Sequence, residues 1–168
     1  MKEEWFPLVD ESGNVIGQAT RKECHGGSML LHLVVHLHVF NSKGDLFLQK
    51  RAMTKDVQPG KWDTSVGGHI DLNEEIEQAL QREVREELAI VDFSFDYCYR
   101  YIWKSAVERE LVYTFLTNYD GIIIADKSEL DDGRFWSISE IKESIGTGIF
   151  TPNFEKEFAL LTEFRIVK

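Results

Sequence analysis

Residues 68–90, GHIDLNEEIEQALQREVREELAI, constrain this chain more than any other stretch. The second half contains no Gly or Pro and is rich in Glu, Gln, Leu, Ala and Arg, so it reads as a helix. Asp71 and Asn73 are candidate N-caps, and Glu74, Glu75 and Glu77 place negative charge where the helix dipole favours it. At 100° per residue Ile76, Leu80, Val84 and Leu88 form an inward apolar stripe. Glu83 and Glu87 fall at the edge of that stripe with Glu86 beside them, whereas Arg82 and Arg85 project from the opposite side. Carboxylates three and four residues apart repel by a few tenths of a kcal/mol per pair even in water. Half-burying them raises the penalty unless a multivalent cation sits among them. A surface helix that happens to be rich in Glu is the plainer alternative.

Register narrows the choice. Gly68, Glu74, Arg82, Glu83, Val84, Glu86, Glu87 and Ile90 stand at the spacing Gly, five residues, Glu, seven residues, Arg-Glu-apolar-any-Glu-Glu-any-Gly-apolar. This resembles the box of the Nudix hydrolase family, with one departure: Ala89 stands where the family usually has the Gly that ends the helix. The resemblance implies a helix–sheet–helix sandwich with the box as loop–helix–loop. It also implies Mg²⁺ or Mn²⁺ bound by Gly68, Glu83, Glu86 and Glu87, with one glutamate doubling as general base. The chemistry agrees, since a diphosphate needs its charge neutralised and a water activated, and hard cations on carboxylates do both. Arg82 is expected to fix the rotamer of a box carboxylate, and Glu74 to support rather than ligate.

At 168 residues, with 43% hydrophobic and 29% charged, the chain reads as one soluble globular domain spanning 1–168. No apolar run is long enough to cross a bilayer, and MKEEWFPLVD lacks the apolar core of a signal peptide. Cys24 and Cys98 have no paired spacing, so a reducing cytoplasm is the expected setting. A net charge of −10 argues against nucleic acid as the main partner, although metal and a few placed cations can still receive a phosphorylated small molecule.

The rest of the chain supplies a sheet. Residues 31–40, LHLVVHLHVF, put Leu31, Leu33, Val35, Leu37 and Val39 on one face and His32, Val34, His36 and His38 on the other. Asn41-Ser42-Lys43-Gly44 turns this strand into a hairpin with 46–51. Shorter strands are expected at 5–9 and 15–20 around the turn Glu11–Asn14, at 62–66, 93–103, 111–117 and 134–137. Helices are expected near 139–145 and 153–165, the last with Phe154, Phe158, Leu161 and Arg165 at helical spacing. A mixed sheet covered on both faces follows: an α+β, or α/β/α sandwich, architecture. Trp62, Tyr99, Tyr101, Trp103, Phe135 and Trp136 could stack on a base or fill the core.

Two further constellations carry chemistry. Lys50, Arg51, Lys55 and Lys61 cluster in an acidic chain, and cations there would clamp outer phosphate oxygens. His25, His32 and His69 are scattered, but His69 follows the box glycine, and Glu108 and Glu110 lie two apart at a strand start. Together with LVDESGNVIGQ and ECHGGSMLLHLVVHLHVFNSKGDLFLQKRAMTKDVQPGKWDTSVGGHI, this is similar to type I isopentenyl-diphosphate isomerase, a branch on the Nudix scaffold, over most of the chain. That resemblance implies a second divalent-metal site at His25, His32, His69, Glu108 and Glu110, and substrate contacts from Arg51 and Lys55. The isomerase reaction, however, uses a cysteine at the position of Gly67 and a tryptophan at the position of Asn153. Glycine has no proton to give, and an amide offers no π face to a carbocation. With Glu83, Glu86 and Glu87 all present, the sequence favours metal-dependent hydrolysis of a diphosphate linkage in a nucleoside diphosphate derivative or similar molecule. An isomerase, and a ligand-binding module without turnover, remain the alternatives. Family members are often dimers, so a homodimer is an open expectation.

Overall fold

The computed structural model describes residues 2–168. In chain order the elements are β1 (Trp5–Val9), β2 (Val15–Thr20), α1 (Arg21–Cys24), β3 (Leu31–Phe40), β4 (Leu46–Arg51), β5 (Trp62–Asp63) and β6 (Val66–His69). They continue with α2 (Ile76–Leu88), β7 (Asp96–Lys104), β8 (Arg109–Asn118), β9 (Leu130–Trp136), α3 (Ile138–Ser144) and α4 (Pro152–Glu163). All strands belong to one mixed sheet whose centre is β3. It runs parallel to β8 from Leu31↔Arg109 to Phe40↔Asn118, and antiparallel to β6 from Val34↔His69 to Leu37↔Val66.

The hairpin expected between β3 and β4 barely exists. Only Phe40 and Leu46 pair, after which β4 diverges to join β9 and β5. The central strand is thereby left free to take β6 and β8, which carry the box glycine and Glu110.

Alternation along β3 separates two interiors. Leu31, Leu33, Val35, Leu37 and Val39 pack with Ala79, Leu80, Val84 and Leu88 of α2. On the other side α3 and α4 place Ile141, Phe154, Phe158 and Leu161 against Leu46, Leu48, Tyr99 and Trp136. The expected sandwich is therefore present. Leu80, Val84 and Leu88 are fully buried, each contributing about 1.5–3 kcal/mol, and this fixes the rotation of α2 and so the direction of its glutamates. Of the six singled-out aromatics, Tyr99 and Trp136 are buried and Trp62 and Tyr101 pack against the same cluster, whereas Trp103 faces the cleft described below.

Several boundaries move. Neither Asp71 nor Asn73 caps α2; the N-cap is Glu75, whose backbone N–H donates to Gln78 Oε1 at 3.0 Å. Asn73 instead takes a left-handed φ of 63°, which an Asn tolerates in the tight loop before the helix. The last helix ends at Glu163, so Arg165, with φ 58°, does not extend the stripe. Its start is well defined: Thr151 accepts from the Phe154 N–H, and Pro152 occupies the first turn.

Candidate active site

The C-terminal half of β4, β6, α2 and the start of β8 enclose a cleft of about 1160 Å³. Gly68, Glu83, Glu86 and Glu87 line it, as do Arg51, Lys55, His25, His69, Glu108 and Glu110. Lys50 and Lys61 are not among its lining residues, which leaves them as loop lysines.

The glycine at 68 is required by close approach: a Cβ there would overlap the Glu83 carboxyl group. Arg82 is only partly exposed and turns toward the box, not away from it as a simple helical wheel places it. Its Nε and Nη2 donate to the two oxygens of Glu74 at 2.8 and 2.9 Å, Nη2 also donates to the His69 carbonyl at 3.0 Å, and Nη1 donates to Glu83 Oε1 at 2.6 Å. Glu74 thus holds Arg82 in a bidentate grip, and Arg82 holds Glu83. Glu87 is held from the other side by Gln49, whose Nε2 donates to Oε2 at 2.9 Å. Gln49 was not singled out from sequence; it follows from β4 passing beside α2.

Burial pushes Glu83 up to about 7 despite the Arg82 guanidinium. Burial, and then the charge of Glu83, push Glu87 up to about 8. Glu86 is more exposed, 3.5 Å from Arg82. Two half-buried carboxylates that hold protons this strongly are a donor set suited to a hard divalent cation. The three glutamates do not, however, present their oxygens in one tight group.

The histidine cluster does. One ligand atom each from His25, His32, His69 and Glu110 lies within 4.8 Å of the others. His25 Nε2 and His69 Nε2 are 3.0 Å apart, and Glu110 Oε1 lies 3.7 Å from His69 Nε2 and 3.8 Å from His32 Nε2. Glu108 Oε2 stands 3.4 Å from His25 Nε2. His32 Nδ1 is spent on the Leu30 carbonyl at 3.0 Å, and its buried Nε2 has no hydrogen-bond partner. Burial depresses all three imidazoles, His25 to about 4, so each has a lone pair to give. An orphaned nitrogen among neutral imidazoles and a carboxylate fits a divalent metal with nitrogen affinity. Phe6 stacks on His69 with centroids 4.4 Å apart and 3° between planes, a support that the sequence did not announce.

Arg51 and Lys55 line the same cleft. Arg51 Nε donates to the Val57 carbonyl at 3.0 Å and its Nη1 lies 3.5 Å from Asp63; Lys55 donates to Glu129 at 2.8 Å.

A third polar group lies under the cleft floor. Glu157 of α4 is fully buried. Its Oε2 is 2.9 Å from His36 Nδ1 and 3.5 Å from His38 Nε2, and accepts from Thr64 Oγ1 at 2.9 Å; its Oε1 accepts from Thr114 Oγ1 at 3.1 Å. Burial opposes ionisation, but His36 and His38 hold Glu157 down at about 2. Burial likewise opposes a charged His36, yet Glu157 raises it to about 9. The signal was available: 154, 157, 158 and 161 form one helical stripe, which puts a glutamate among phenylalanines facing the side of β3 that carries His36 and His38.

A NUDIX domain model matches residues 30–154. The chain is 32% identical over 160 residues to isopentenyl-diphosphate Delta-isomerase 1 of Photorhabdus laumondii, covering 90% of this chain and 91% of that one. It is 33% identical over 156 residues to a Nudix hydrolase, lmo0368, of Listeria monocytogenes, covering 90% of each. Among solved structures, DR0079 from Deinococcus radiodurans superposes with a TM-score of 0.81 at 23% identity, covering 94% of this chain and 98% of that one. With the box glycine, its arginine clamp and its glutamates assembled on one cleft, this chain belongs to the Nudix family.

Proposed function

We propose that the chain is a Nudix-type pyrophosphohydrolase that cleaves a diphosphate linkage in a nucleoside diphosphate derivative or similar phosphorylated small molecule. The observation that carries this reading is the pair of half-buried carboxylates, Glu83 and Glu87, which the Arg82 guanidinium and the Gln49 amide compensate only in part, so that both hold their protons at about 7 and 8. Mg²⁺ or Mn²⁺ held by the Gly68 carbonyl, Glu83, Glu86 and Glu87 would neutralise phosphate charge and make a water nucleophilic at neutral pH. Arg82 fixes Glu83 and Gln49 fixes Glu87, so neither carboxylate has to be ordered when substrate arrives. Arg51 and Lys55 offer donors to the outer phosphate oxygens from the same cleft. One of the three glutamates takes the proton from water. A second divalent ion belongs to His25, His32, His69 and Glu110 with Glu108 beside them, supported by the orphaned His32 Nε2. The segments outside 30–154 belong to the same domain: β1 pairs with β3, Phe6 stacks on His69, and α4 completes the second core.

Incubation with nucleoside di- and triphosphates, dinucleoside polyphosphates and nucleotide sugars plus Mg²⁺ is expected to release phosphorylated products. Turnover that E87Q leaves unaltered would sink the glutamate site. Metal analysis of the purified protein, with and without H32A, tests the histidine site independently.

An isomerase reading is favoured by the Photorhabdus relative, but two positions oppose it. The space above Gly67 is taken by His36, since a Cβ there would stand 3.1 Å from the imidazole Cδ2 and Nε2. Asn153 donates to Tyr101 Oη at 3.3 Å and offers no π face to the cleft. Neither Cys24 nor Cys98 lines the cleft. Conversion of isopentenyl to dimethylallyl diphosphate by the purified protein would reverse this choice.

A further inference from the structure

His36 has no role in the hydrolysis outlined above, yet the fold commits much to it. A buried carboxylate with four polar neighbours is arranged behind one imidazole, and of the two histidines in the group that imidazole is the one that reaches the cleft. Here Nδ1 faces Glu157, and the opposite edge, Cδ2 and Nε2, lies over Gly67. Gly67 has no side chain to cover that edge, and both residues line the cleft.

The wall beside His36 has the same character. Asp63 Oδ1 accepts from Thr151 Oγ1 at 3.0 Å and from the Thr64 N–H at 2.8 Å, and Asn153 stands next to them with its amide turned to Tyr101. His36, Asp63, Thr64, Thr151 and Asn153 all line the cleft, so this end presents fixed polar groups. A hydrocarbon chain entering it would strip water from these groups and return no hydrogen bond.

We propose that His36 is a substrate-binding residue: held by Glu157, it donates a hydrogen bond from Nε2 to an oxygen on the part of the substrate beyond the diphosphate, and so selects a hydroxyl- or carbonyl-bearing moiety over a hydrocarbon tail. This rests on the pyrophosphohydrolase reading and narrows its substrate class. Glu157 acts through His36 as a positioning residue. A site built to hydrogen-bond a substrate group discriminates strongly against ligands that lack it, because its own donors are left unpaired.

The test compares three probes by calorimetry with Ca²⁺ in place of Mg²⁺: inorganic pyrophosphate, which has no tail, ADP-ribose, whose tails are polar, and isopentenyl diphosphate, whose tail is hydrocarbon. Wild type should bind ADP-ribose at least tenfold more tightly than isopentenyl diphosphate. H36F, which keeps a ring and removes both nitrogens, should weaken ADP-ribose at least tenfold and change the other two less than about twofold. Should H36F fail to fold with Glu157 unpaired, G67A serves instead. Its methyl group presses on the Nε2 edge and leaves the Glu157 contact in place, and it should shift the same preference in the same direction. The proposal is overturned by equal loss for all three probes, by unchanged ADP-ribose binding, by wild type preferring the hydrocarbon tail, or by wild type binding none of them. Failure of the hydrolase reading looks different: no diphosphate would be cleaved in Mg²⁺ while the His36 variants still altered probe preference.

Discussion

Two of the sites where this protein withdraws carboxylates from water treat them in opposite ways. On α4, Glu157 accepts from two threonine hydroxyls and lies 2.9 and 3.5 Å from the His36 and His38 imidazoles, and its proton affinity falls well below that of an ordinary glutamate. On α2, Glu83 and Glu87 are half-buried, the first with a guanidinium it shares with Glu74 and the second with one amide, and their proton affinities rise. Glu157 shows that this chain can compensate a buried charge from its own side chains. Where compensation is only partial, at a cleft lined by Arg51 and Lys55, an outside cation is the economical explanation.

The contrast breaks most sharply under amide substitution. E157Q removes one partner of a buried ion pair and should destabilise the metal-free protein by about 3–5 kcal/mol. E87Q removes a partly compensated charge and should leave metal-free stability unchanged or raised. At the same time it should lower hydrolysis by about 10³-fold, the loss of several kcal/mol of charge stabilisation in the transition state. Denaturant melts in EDTA together with turnover in Mg²⁺ measure both. If the two variants shift stability in the same direction, the two burials are alike and the inference from α2 to a cation fails.

Titration sharpens the same point. Glu157 has a lowered affinity in the fold, so its contribution is present above the ordinary carboxylate value of 4.5 and is lost as pH falls toward 2. His36 has a raised affinity, so its contribution is complete below 6.5 and is lost as pH rises through about 9. For this pair, stability in EDTA should plateau between roughly 4.5 and 6.5 and decline on both sides. Subtracting the E157Q profile from the wild-type one should isolate both shoulders. A difference profile with no alkaline shoulder would mean that His36 is not charged by Glu157.

Arg82 is where the α2 site comes nearest to compensation. Lysine at this position keeps the charge but cannot reach both oxygens of Glu74, the His69 carbonyl and Glu83 at once. R82K should therefore reduce kcat/KM by about 10–100-fold, in the range for groups that orient metal ligands, with little change in melting temperature. A variant at wild-type rate would show that Glu83 is positioned by packing against Gly68 alone.

Much of this was legible from the chain because it is local. The box lies on one helix, so its spacing fixes which side chains share a face, and alternation in residues 31–40 fixed the division of β3 between two cores. The histidine cluster became readable only through family resemblance, since His25, His32, His69 and Glu110 come from four separate parts of the chain. Gln49 and Phe6 lay beyond reach for the same reason, and the Glu157 network was legible only as far as its helical stripe. Their roles depend on β4 leaving β3 after one pair, on β1 crossing His32, and on the azimuth of α4. The misplaced N-cap has a different origin. Asp71, Asn73 and Glu75 all lie near the start of α2, and the choice fell to Glu75 once Asn73 adopted a left-handed turn.

The smallest effect concerns the end of α2, one residue beyond Leu88. Ala89 adopts φ 56° and ψ 27°, the left-handed region, and its N–H bonds to the Arg85 carbonyl at 3.1 Å. The helix therefore stops where the family places its glycine, even though the glycine is missing. The stop is enforced by tertiary structure: Leu88 and Ile90 are both buried on either side, and the Leu88 carbonyl accepts from the Ile124 N–H at 3.1 Å. A methyl group in this conformation costs about 1 kcal/mol relative to glycine, partly offset by the greater freedom glycine gives the unfolded chain. A89G should thus stabilise the protein by roughly 0.5 kcal/mol, read as a small rise in denaturation midpoint at constant slope. Because Glu86 and Glu87 lie in the last turn, the same variant should leave hydrolysis unchanged if packing already fixes that turn. A gain in rate would mean that the alanine had held the glutamates slightly out of place, and that the α2 carboxylates are less rigidly held than Glu157.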